Sequence, residues 1–572
     1  MNLKKRTFLF LIAGALSCTQ LYGTDYTWDG TDSSDWNAAN NWTADSGFPN
    51  ADDDTATFPS TTVSTYSVSV NASALAVNAI TLAGSSPYTL SATSGSSPSM
   101  LGTSPSPVIT ASGTTSSSSQ HTISSPIFFG ESSTVTVNDS SLMTISGVIS
   151  GTTALIKSGT GTLTLSGVNT FSAGAFIDQG TLSVAADTGL GNSSNGITFR
   201  TNNGGTLNTT ADISSSRAIA LDANAIISAD TSTTLTLSGV ISGSSTLTYS
   251  GAGAVTVTGT NSYTGTTTIS AGTLTVSADA GLGNTSTPAA IILGGGTLST
   301  STSFSSARDI TLSSDSTINV DGASIALTLS GVISSTGILT KTGAGALALS
   351  GRNTYTGGTV ISAGTVNVSA DNNLGNTTSA IELGGGALNA TSSFTSARNI
   401  SLTGDSIIYV EGSETLTLSG IISGSSSLTK STSGTLALIG VNTYTGSTSV
   451  TAGGLTLDPS GTIESSSSVN VGSGATLTIQ ADKSIKDLAD VSGSGGTVAL
   501  GNHTLNITAG ASIFSGVISG SGTGSAIVKS GVGTTTFAGT NTYTGTTTVN
   551  AGTLSVSADA GLGSTSGTPG GI

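Results

Sequence analysis

Cysteine, histidine and basic side chains are scarce in this chain of 572 residues, which has one Cys, two His and 14 Lys and Arg together. So few thiols and imidazoles do not supply the ligand set of a structural zinc site. The 30 Asp and Glu give a net charge of −16 and a pI of about 4.2. A chain with so few cations cannot neutralise a phosphate backbone, which excludes nucleic acid as a partner.

Charge and aromatic side chains are low overall, at 8% and 5% of the residues, whereas 77 residues are Gly. Ordinary globular domains carry about 25% charged residues. The mean hydropathy is +0.22, and disordered chains are usually more charged and less apolar. Both a compact helical enzyme and plain disorder are therefore poor descriptions. At this length a chain forms several domains unless it is a repeat array.

The N-terminus has the pattern of an export signal. Three cations lie within the first six residues, and an apolar stretch over 7–16 is too short to span a bilayer. We predict a signal peptide over residues 1–23, with cleavage after Ser17 or Gly23. The alternative is a lipid anchor on Cys18, preceded by Ala-Leu-Ser.

Internal repeats decide the predicted fold. A GVIS or GIIS segment and an NTYTG-like segment each occur five times, mostly 89 to 99 residues apart, so a unit of about 92 residues has been copied nearly five times. The first segment begins at Gly147, Gly239, Gly331, Gly420 and Gly516, and the second at Asn169, Asn261, Asn353, Asn442 and Asn541.

Each unit reads as about four rungs of roughly 23 residues, because Gly-x-Leu-like starts recur within it. Alternating stretches such as TLTL over 162–165 indicate half-buried strands. Such strands bury an apolar face only when they are stacked, so we predict an all-β solenoid rather than a string of sandwiches. The predicted domains are residues 1–23 as the signal, 24–140 as an N-terminal cap with the first rungs, and 141–572 as the repeat array, ending in mid-repeat.

All three tryptophans, Trp28, Trp36 and Trp42, lie near the N-terminus. A solenoid needs a cap on its first rung, because an open edge would pair with other chains. We therefore expect these residues to cover the end of the core. The alternative is a surface on which sugars stack.

Two segments resemble the passenger-associated transport repeat, also called the autotransporter-associated β-strand repeat. Residues 162–185 read TLTLSGVNTFSAGAFIDQGTLSVA, and residues 255–283 read VTVTGTNSYTGTTTISAGTLTVSADAGLG. The opening TWDG…DWNAANNW…DDDTATF is also similar to the start of many such passengers. The resemblance implies a right-handed parallel β-helix that is exported by the type V route, displayed at a Gram-negative cell surface, and drawn outward by its own stepwise folding.

The functional expectation is a structural or adhesive passenger that binds host or surface glycans or proteins. The resemblance implies an outer-membrane translocator as partner, and we expect that barrel to be absent from this chain because the last hundred residues keep the repeat pattern. The alternative is a carbohydrate-active β-helix enzyme, a polysaccharide lyase or hydrolase.

Candidate chemical groups are few, and we predict no catalytic, cofactor-binding or metal-binding residue. His121 and His503 are isolated and lie near no nucleophile motif. The acidic triplet Asp52, Asp53 and Asp54 is read as a solvated turn, with a Ca²⁺ site as the alternative.

Three other sets recur or cluster and are expected to have structural roles. The recurring arginines are expected at turns, and the recurring aromatic residues are expected to pack over a turn, with an adhesive aromatic stripe as the alternative. The charged cluster of the irregular fourth unit is expected to be a solvated insertion. The three sets are Arg217, Arg308 and Arg398; Phe171, Tyr263, Tyr355, Tyr444 and Tyr543; and Asp482, Lys483, Lys486, Asp487 and Asp490.

Overall fold

A computed structural model describes residues 23–29, 33–43, 47–60, 66–71, 75–84, 86–93, 107–113, 120–138, 141–201 and 204–563. Nearly all of the predicted signal peptide, including Cys18, lies outside the described residues, so cleavage and lipidation stay predictions. The chain forms two compact units, residues 1–174 and 175–572.

The first unit is built from short strands and one 3-10 helix. Its strands pair in parallel within the series β1-β2-β4-β6-β9-β12, β3-β5-β7-β10-β13 and β8-β11. The elements are β1 (Asp25–Thr27), η1 (Ala39–Asn41), β2 (Thr55–Phe58), β3 (Tyr66–Val70), β4 (Ala79–Ala83), β5 (Tyr88–Ala92), β6 (Val108–Ser112), β7 (Gln120–Ile123), β8 (Ile127–Phe129), β9 (Ser133–Val137), β10 (Leu142–Ile145), β11 (Ile149–Gly151), β12 (Leu155–Ser158) and β13 (Thr162–Leu165).

The second unit continues in the same style with strands of two to five residues and four short 3-10 helices. Its elements are β14 (Ala175–Ile177), β15 (Gly180–Val184), η2 (Asp187–Leu190), β16 (Ile197–Phe199), β17 (Gly205–Thr209), β18 (Ile213–Ser215), β19 (Ile219–Leu221), β20 (Ala225–Ala229), β21 (Thr234–Leu237), β22 (Ile241–Gly243), β23 (Leu247–Ser250), β24 (Ala254–Val257), β25 (Thr267–Ile269), β26 (Thr273–Val276), η3 (Asp279–Leu282), β27 (Ile291–Leu293), β28 (Thr297–Thr300), β29 (Phe304–Ser306), β30 (Ile310–Leu312), β31 (Ser316–Val320), β32 (Ala326–Leu329), β33 (Ile333–Ser335), β34 (Leu339–Thr342), β35 (Ala346–Leu349), β36 (Thr359–Ile361), β37 (Thr365–Val368), η4 (Asp371–Leu374), β38 (Ile381–Gly384), β39 (Ala387–Ala390), β40 (Phe394–Ser396), β41 (Ile400–Gly404), β42 (Ser406–Val410), β43 (Thr415–Leu418), β44 (Ile422–Gly424), β45 (Leu428–Ser431), β46 (Thr435–Leu438), β47 (Thr448–Val450), β48 (Gly454–Leu457), β49 (Val469–Val471), β50 (Thr476–Ile479), β51 (Lys483–Ile485), β52 (Leu488–Asp490), β53 (Thr497–Ala499), β54 (Leu505–Ile507), β55 (Ile513–Phe514), β56 (Val517–Ser519), β57 (Ile527–Lys529), β58 (Thr534–Phe537), β59 (Thr547–Val549), β60 (Thr553–Val556) and η5 (Asp559–Leu562).

The strands of the second unit stack as successive layers of a coil with three sides. For example, β35 pairs in parallel with β32 on one side and with β37 on the other. Two residues per strand point inward, as the burial of alternate positions in the ALAL sequence of β35 shows. Leu347 is fully buried and lies between Leu327 and Val366 of the adjacent layers. The predicted all-β parallel solenoid is confirmed.

One repeat is slightly more than four turns of the coil. From β33 to β43 there are eleven strands and two irregular segments, which makes thirteen sides, or four turns of three sides and one side more. The GVIS-type strands β22, β33 and β44 therefore each end a different sheet, and the strands β18, β29 and β40 each begin one.

The boundary near residue 140 and the domain ranges drawn from it stay predictions. Among the described residues, no helix has both the length and the apolar character needed to cross a membrane.

The inward-pointing side chains that stack from layer to layer lead to a first prediction. Leu347→Ala removes a fully buried side chain between two well-packed layers and should lower the free energy of unfolding by about 3 kcal/mol. Ala348→Ser on the outer face of the same strand is the matched control and should change it by less than about 0.5 kcal/mol. Urea denaturation followed by circular dichroism measures both. Equal losses from the two variants would contradict the assigned inward register.

Candidate functional site

Each regular repeat interrupts one side of the coil with two layers that are not strands. We call them the first irregular layer, formed by the NTYTG segment, and the second irregular layer, formed by the D-x-x-L-G segment that contains the 3-10 helix. In the third repeat, Thr354 N donates to Ile333 O of β33 at 2.8 Å, and Asn376 N donates to Tyr355 O at 2.8 Å. The layers thus continue the stack with fewer backbone hydrogen bonds than a sheet has.

The asparagine that begins the first irregular layer bridges the layers on both sides of it. Asn353 Oδ1 accepts the backbone N–H of Ile333 at 2.7 Å, and its Nδ2 donates to Asn373 O. The amide therefore replaces one acceptor and one donor of the missing ladder. The equivalent Asn261, Asn442 and Asn541 make the same pair of bonds.

A buried arginine in the layer that follows donates hydrogen bonds to the second irregular layer. Arg398 lies two residues after the end of β40, and its side chain is fully buried. Its Nε donates to Asp371 Oδ1 at 2.8 Å, and its Nη2 donates to the carbonyls of Asp371 and Gly375 at 2.9 and 2.8 Å. The guanidinium thus supplies donors to carbonyls that have no strand above them.

The arrangement occurs three times in the second unit. Arg217 pairs with Asp187 and Arg308 pairs with Asp279, each through Nε at 2.9 Å, and each also binds carbonyls of its D-x-x-L-G segment. The structural role expected for the recurring arginines is confirmed. Their aspartate partners were not foreseen, because each Asp precedes its Arg by 27 to 30 residues.

The tyrosines of the first irregular layer are core residues. Tyr263, Tyr355, Tyr444 and Tyr543 are each at most 1% exposed, and each phenol shares a hydrogen bond with the Thr four residues later. Phe171 at the equivalent position is also buried. Burial raises the pKa of Tyr263 and Tyr355 to about 12. The alternative of an adhesive aromatic stripe is therefore wrong, and packing over a turn is confirmed.

Sequence reasoning missed a set of lysines inside the coil. Lys341 and Lys430 are buried, and each Nζ donates to two carbonyls of the turn that follows its strand and to one carbonyl of the next layer. Lys157 and Lys529 occupy the same repeat position, and Tyr249 replaces the lysine in the second repeat. The available signal was the recurrence of a lysine two residues after a Leu or Ile at the same place in the repeat.

The fourth repeat departs from the pattern and corrects one expectation. Lys483 is buried at the start of β51, and its Nζ donates to the carbonyls of Asp458 and Pro459 at 2.8 and 2.9 Å. The prediction that Lys483 belongs to a solvated insertion is therefore wrong. Its ammonium donates to carbonyls, as the arginines do in the regular repeats. Lys486 donates to Ser465 O.

The acidic members of that cluster accept hydrogen bonds from neighbouring layers. Asp482 accepts from Thr504 N at 2.8 Å, and Asp490 accepts from the backbone N–H and the hydroxyl of Ser515. Asp487 accepts from Ala511 N and the Ser512 hydroxyl. These carboxylates satisfy loop donors and do not converge on one point.

The tryptophans of the first unit pack on each other and on Phe58. Trp28, Trp36 and Trp42 are at most 2% exposed, and Trp42 lies edge-on to both of the others, with ring centroids 5.1 and 5.0 Å away. No ring face is open to a sugar, so the alternative of a sugar-stacking surface is wrong. The observed role is hydrophobic core.

The other candidate groups of the first unit are also occupied in the structure. Asp54 is buried and accepts three backbone N–H groups, from Thr24, Asn50 and Ala51. Its carboxylate therefore accepts hydrogen bonds inside the turn and is buried, whereas the sequence favoured a turn exposed to solvent. His121 is buried, its Nδ1 accepts from Tyr88 N at 3.3 Å, and burial lowers its pKa to about 4. His503 lies in a turn of the second unit, far along the chain.

No catalytic centre is assembled in the part of the chain that the structure describes. Across the described ranges, no three His, Cys, Asp or Glu side chains lie close enough to hold a metal ion. A shallow cleft of about 480 Å³ is lined mainly by small residues, with Lys486 and Asp487 at its edge already hydrogen-bonded. The expectation that the chain has no catalytic, cofactor or metal residue stays a prediction.

A family model decides what these layers are. The passenger-associated-transport-repeat model matches residues 155–184, 247–276, 339–368, 428–457 and 527–556. Five segments of the chain thus match the passenger-associated transport repeat. Each match begins with the strand that carries the buried lysine, or Tyr249 in the second repeat, and contains the NTYTG-like segment. The transport repeat therefore includes the first irregular layer, whereas the second irregular layer and its arginine follow after it.

A curated relative supports the same assignment. The Adhesin BmaC autotransporter of Brucella suis biovar 1 (strain 1330) is 40% identical over 141 residues. That match covers 25% of this chain, and the chain spans only 4% of the length of the relative. No solved structure is significantly similar.

The arginine clamp leads to a second prediction. Arg398→Met leaves the Asp371 carboxylate and four carbonyls without their donor, which should cost about 3 kcal/mol. Hydrogen–deuterium exchange of the amides of residues 371–379 measures the local loss. Arg352→Met, an exposed position, is the control and should change exchange there by less than about 0.5 kcal/mol. Similar exchange in both variants would show that the guanidinium does not hold the layer.

The buried lysines and tyrosines lead to a third prediction, on pH. Burial lowers the pKa of Lys341 and Lys430 to about 8 and that of Lys157 to about 7, whereas an unfolded Lys titrates near about 10.4. Between about pH 8 and 10 the unfolded chain binds more protons, so the free energy of unfolding should rise with pH. Above about pH 10 the unfolded tyrosines ionise first, so it should fall.

Urea titrations at a series of pH values measure this optimum. Lys430→Met should reduce the rise, and Tyr355→Phe should reduce the fall at high pH. Ala348→Ser changes no titratable group, so it is the matched control and should leave the profile unchanged. A stability that decreases steadily from about pH 8 would contradict the prediction.

Proposed function

We propose that this chain is part of an exported, surface-displayed autotransporter passenger with a structural or adhesive role. The observation that carries the proposal is the fivefold transport repeat within a stacked parallel coil. The relative named as an autotransporter adhesin supports adhesion and a Gram-negative cell surface. Export by this route involves an outer-membrane translocator as partner, and stepwise stacking of layers outside the cell favours outward movement.

A recurring apolar position supports adhesion. The second residue of the GVIS segment is exposed in every repeat of the second unit, by 38% to 49%. These residues are Val240, Val332, Ile421 and Val517. These residues lie next to strands that each end a different sheet, so the same exposed apolar contact is presented on more than one side of the coil. The targets we propose are host or surface glycans or proteins.

The regularity of the layers also favours adhesion over catalysis. An enzyme built on a coil of this kind needs carboxylates that converge in a groove. The carboxylates of Asp54, Asp371 and Asp490 are instead bound to an arginine or to backbone and hydroxyl donors. We therefore propose a non-enzymatic passenger.

Binding of the purified chain to cultured host cells and to glycan and protein arrays tests the proposal. The combined variant Val240→Thr, Val332→Thr, Ile421→Thr and Val517→Thr should lower the apparent affinity about tenfold, which is about 1.4 kcal/mol. A control with four outward threonines changed to serine, at Thr236, Thr256, Thr275 and Thr340, should bind like the parent. Circular dichroism should show all three proteins equally folded.

Two results would count against the adhesive role. The first is the absence of saturable binding to any cell or array. The second is the release of reducing or unsaturated sugar ends when the chain is incubated with polysaccharides, which would indicate the lyase or hydrolase instead.

A further inference from the structure

The fourth repeat contains the only Asp-Pro peptide bond of the sequence, in the turn that follows β48. The segment Asp458-Pro459-Ser460-Gly461 stands where the other four repeats have their D-x-x-L-G segment. An Asp-Pro bond is chemically special for two reasons. The carboxylate of the aspartate can close a five-membered ring on its own carbonyl carbon, and the proline nitrogen, which carries no hydrogen in the chain, is more basic than other amide nitrogens.

Two donors are directed at the carbonyl oxygen of this bond. Asp458 O accepts the backbone N–H of Gly461 at 2.9 Å and the Nζ of Lys483 at 2.8 Å. The first hydrogen bond closes an ordinary β-turn with Pro at its second position. The second comes from the start of β51, a neighbouring layer. A pair of fixed donors on one carbonyl oxygen stabilises the negative charge that this oxygen gains when its carbon is attacked.

The lysine is placed on the peptide bond itself. Its Nζ donates to the carbonyls on both sides of the bond, at 2.8 Å to Asp458 O and at 2.9 Å to Pro459 O. Lys483 is buried, whereas Pro459 is exposed. The carbonyl is therefore polarised from the protein side, and water reaches the proline residue from the other side. This arrangement suits a leaving nitrogen that must take a proton from solvent.

The carboxylate of Asp458 is available to attack. Among the described residues, no hydrogen bond engages either of its oxygens, and the residue is only partly buried. Its charge is attracted by the Lys483 ammonium, as is that of Glu464, so it stays near the polarised carbonyl. The contrast is Asp371 of the third repeat, whose carboxylate is held by Arg398 Nε at 2.8 Å. Because the attacking oxygen and the carbonyl belong to one residue, the reaction is intramolecular, which lowers its entropic cost.

We propose that the folded chain cleaves itself between Asp458 and Pro459. A carboxylate oxygen of Asp458 attacks the carbonyl carbon of the same residue, and a cyclic anhydride forms as the carbon–nitrogen bond breaks. The bonding electron pair goes to the proline nitrogen, which takes a proton from solvent. Water then opens the anhydride, so that Asp458 ends the first fragment and Pro459 begins the second. The sum is hydrolysis of one peptide bond by one water molecule.

The stacked layers hold the two fragments together after cleavage. β48, before the bond, pairs in parallel with β46 and with β50, which follows the bond. β47 likewise pairs with β49 on the far side of the bond. The reaction needs only the folded coil and water, and both are present outside the cell. It occurs once on the chain itself and turns over no external substrate, so it is compatible with a non-enzymatic passenger and does not depend on the adhesive role.

Incubation of the purified full chain with protease inhibitors tests the proposal. At about pH 5 carboxylates are mostly ionised and acid is available to protonate the leaving nitrogen. Denaturing gels and intact masses should show two fragments, the second beginning with Pro459, whereas native size-exclusion chromatography should show one particle. The same chain unfolded in urea should be cleaved at least about tenfold more slowly, because it lacks the two fixed donors. Equal rates in the folded and unfolded chain would overturn the proposal.

Variants separate the chemistry from the fold. Asp458→Asn removes the attacking carboxylate and should abolish the fragments. Lys483→Met removes one donor and should slow cleavage at least about tenfold. Pro459→Ala, at an exposed position, keeps both donors but gives a poorer leaving nitrogen, so it should also slow cleavage if Lys483→Met does not fold. Lys486→Met is the matched control, because its Nζ donates to Ser465 O and not to this bond, and it should be cleaved like the parent.

Labelled water distinguishes the proposed route from direct hydrolysis. When cleavage takes place in water enriched in heavy oxygen, an anhydride can open at either carbonyl, so label should appear in the side-chain carboxyl of Asp458 as well as in its new terminal carboxyl. Fragment masses of the C-terminal peptide locate the label. Label confined to the terminal carboxyl, or unchanged cleavage in folded Asp458→Asn or Lys483→Met protein, would overturn the roles assigned to these residues.

Discussion

A buried carbonyl that loses its strand partner must find another donor inside the protein. Each unsatisfied buried group costs about 1–3 kcal/mol, and the two irregular layers of every repeat create several at once. The chain resolves this with long cationic side chains and with one asparagine. The guanidinium of Arg398 reaches four carbonyls, and the ammonium of Lys341 reaches three. The interruptions of the coil exist because these donors are available.

This use of cations changes the meaning of the composition. Outside the first six residues the chain has 11 Lys and Arg, and eight of them are buried. Only Arg200, Arg352 and Lys486 retain substantial contact with solvent. The surface is therefore more acidic than the ratio of charged residues suggests, and it consists mainly of hydroxyls, amides and carboxylates. Such a surface resists self-association between copies, because like charges repel across it.

The sequence predicted the regular part of this structure and little of the irregular part. Alternation in TLTL and AGTL segments is visible in a few residues, and the recurrence of GVIS sets the length of the repeat, so the stacked coil follows from local pattern and period. The pairing of Asp371 with Arg398 does not, because it depends on which segments become vertical neighbours. Lys483 was misassigned for the same reason, since only the fold brings it to Asp458 and Pro459.

Burial decides whether an aromatic or polar residue is part of the core or available at the surface. The sequence alone does not show which residues are buried. Tyr355 is surrounded by polar, turn-forming residues in the chain and yet lies in the core, because the second irregular layer stacks on it. Asn376 is in a similar segment and is exposed. Gly375, directly before it, has a φ of 82°, and a Cβ there would lie 2.6 Å from Tyr355 O. One glycine thus marks the point where the chain turns from interior to solvent.

The extra side in each regular repeat has an evolutionary implication. Duplicating or deleting a single unit reorients every feature downstream by a third of a rotation, whereas a change of three units restores the original azimuth. Families of this kind can therefore redistribute the same binding or attachment points around the axis by recombination alone, without altering any residue. Copy number modulo three, rather than length, then sets which features share a face.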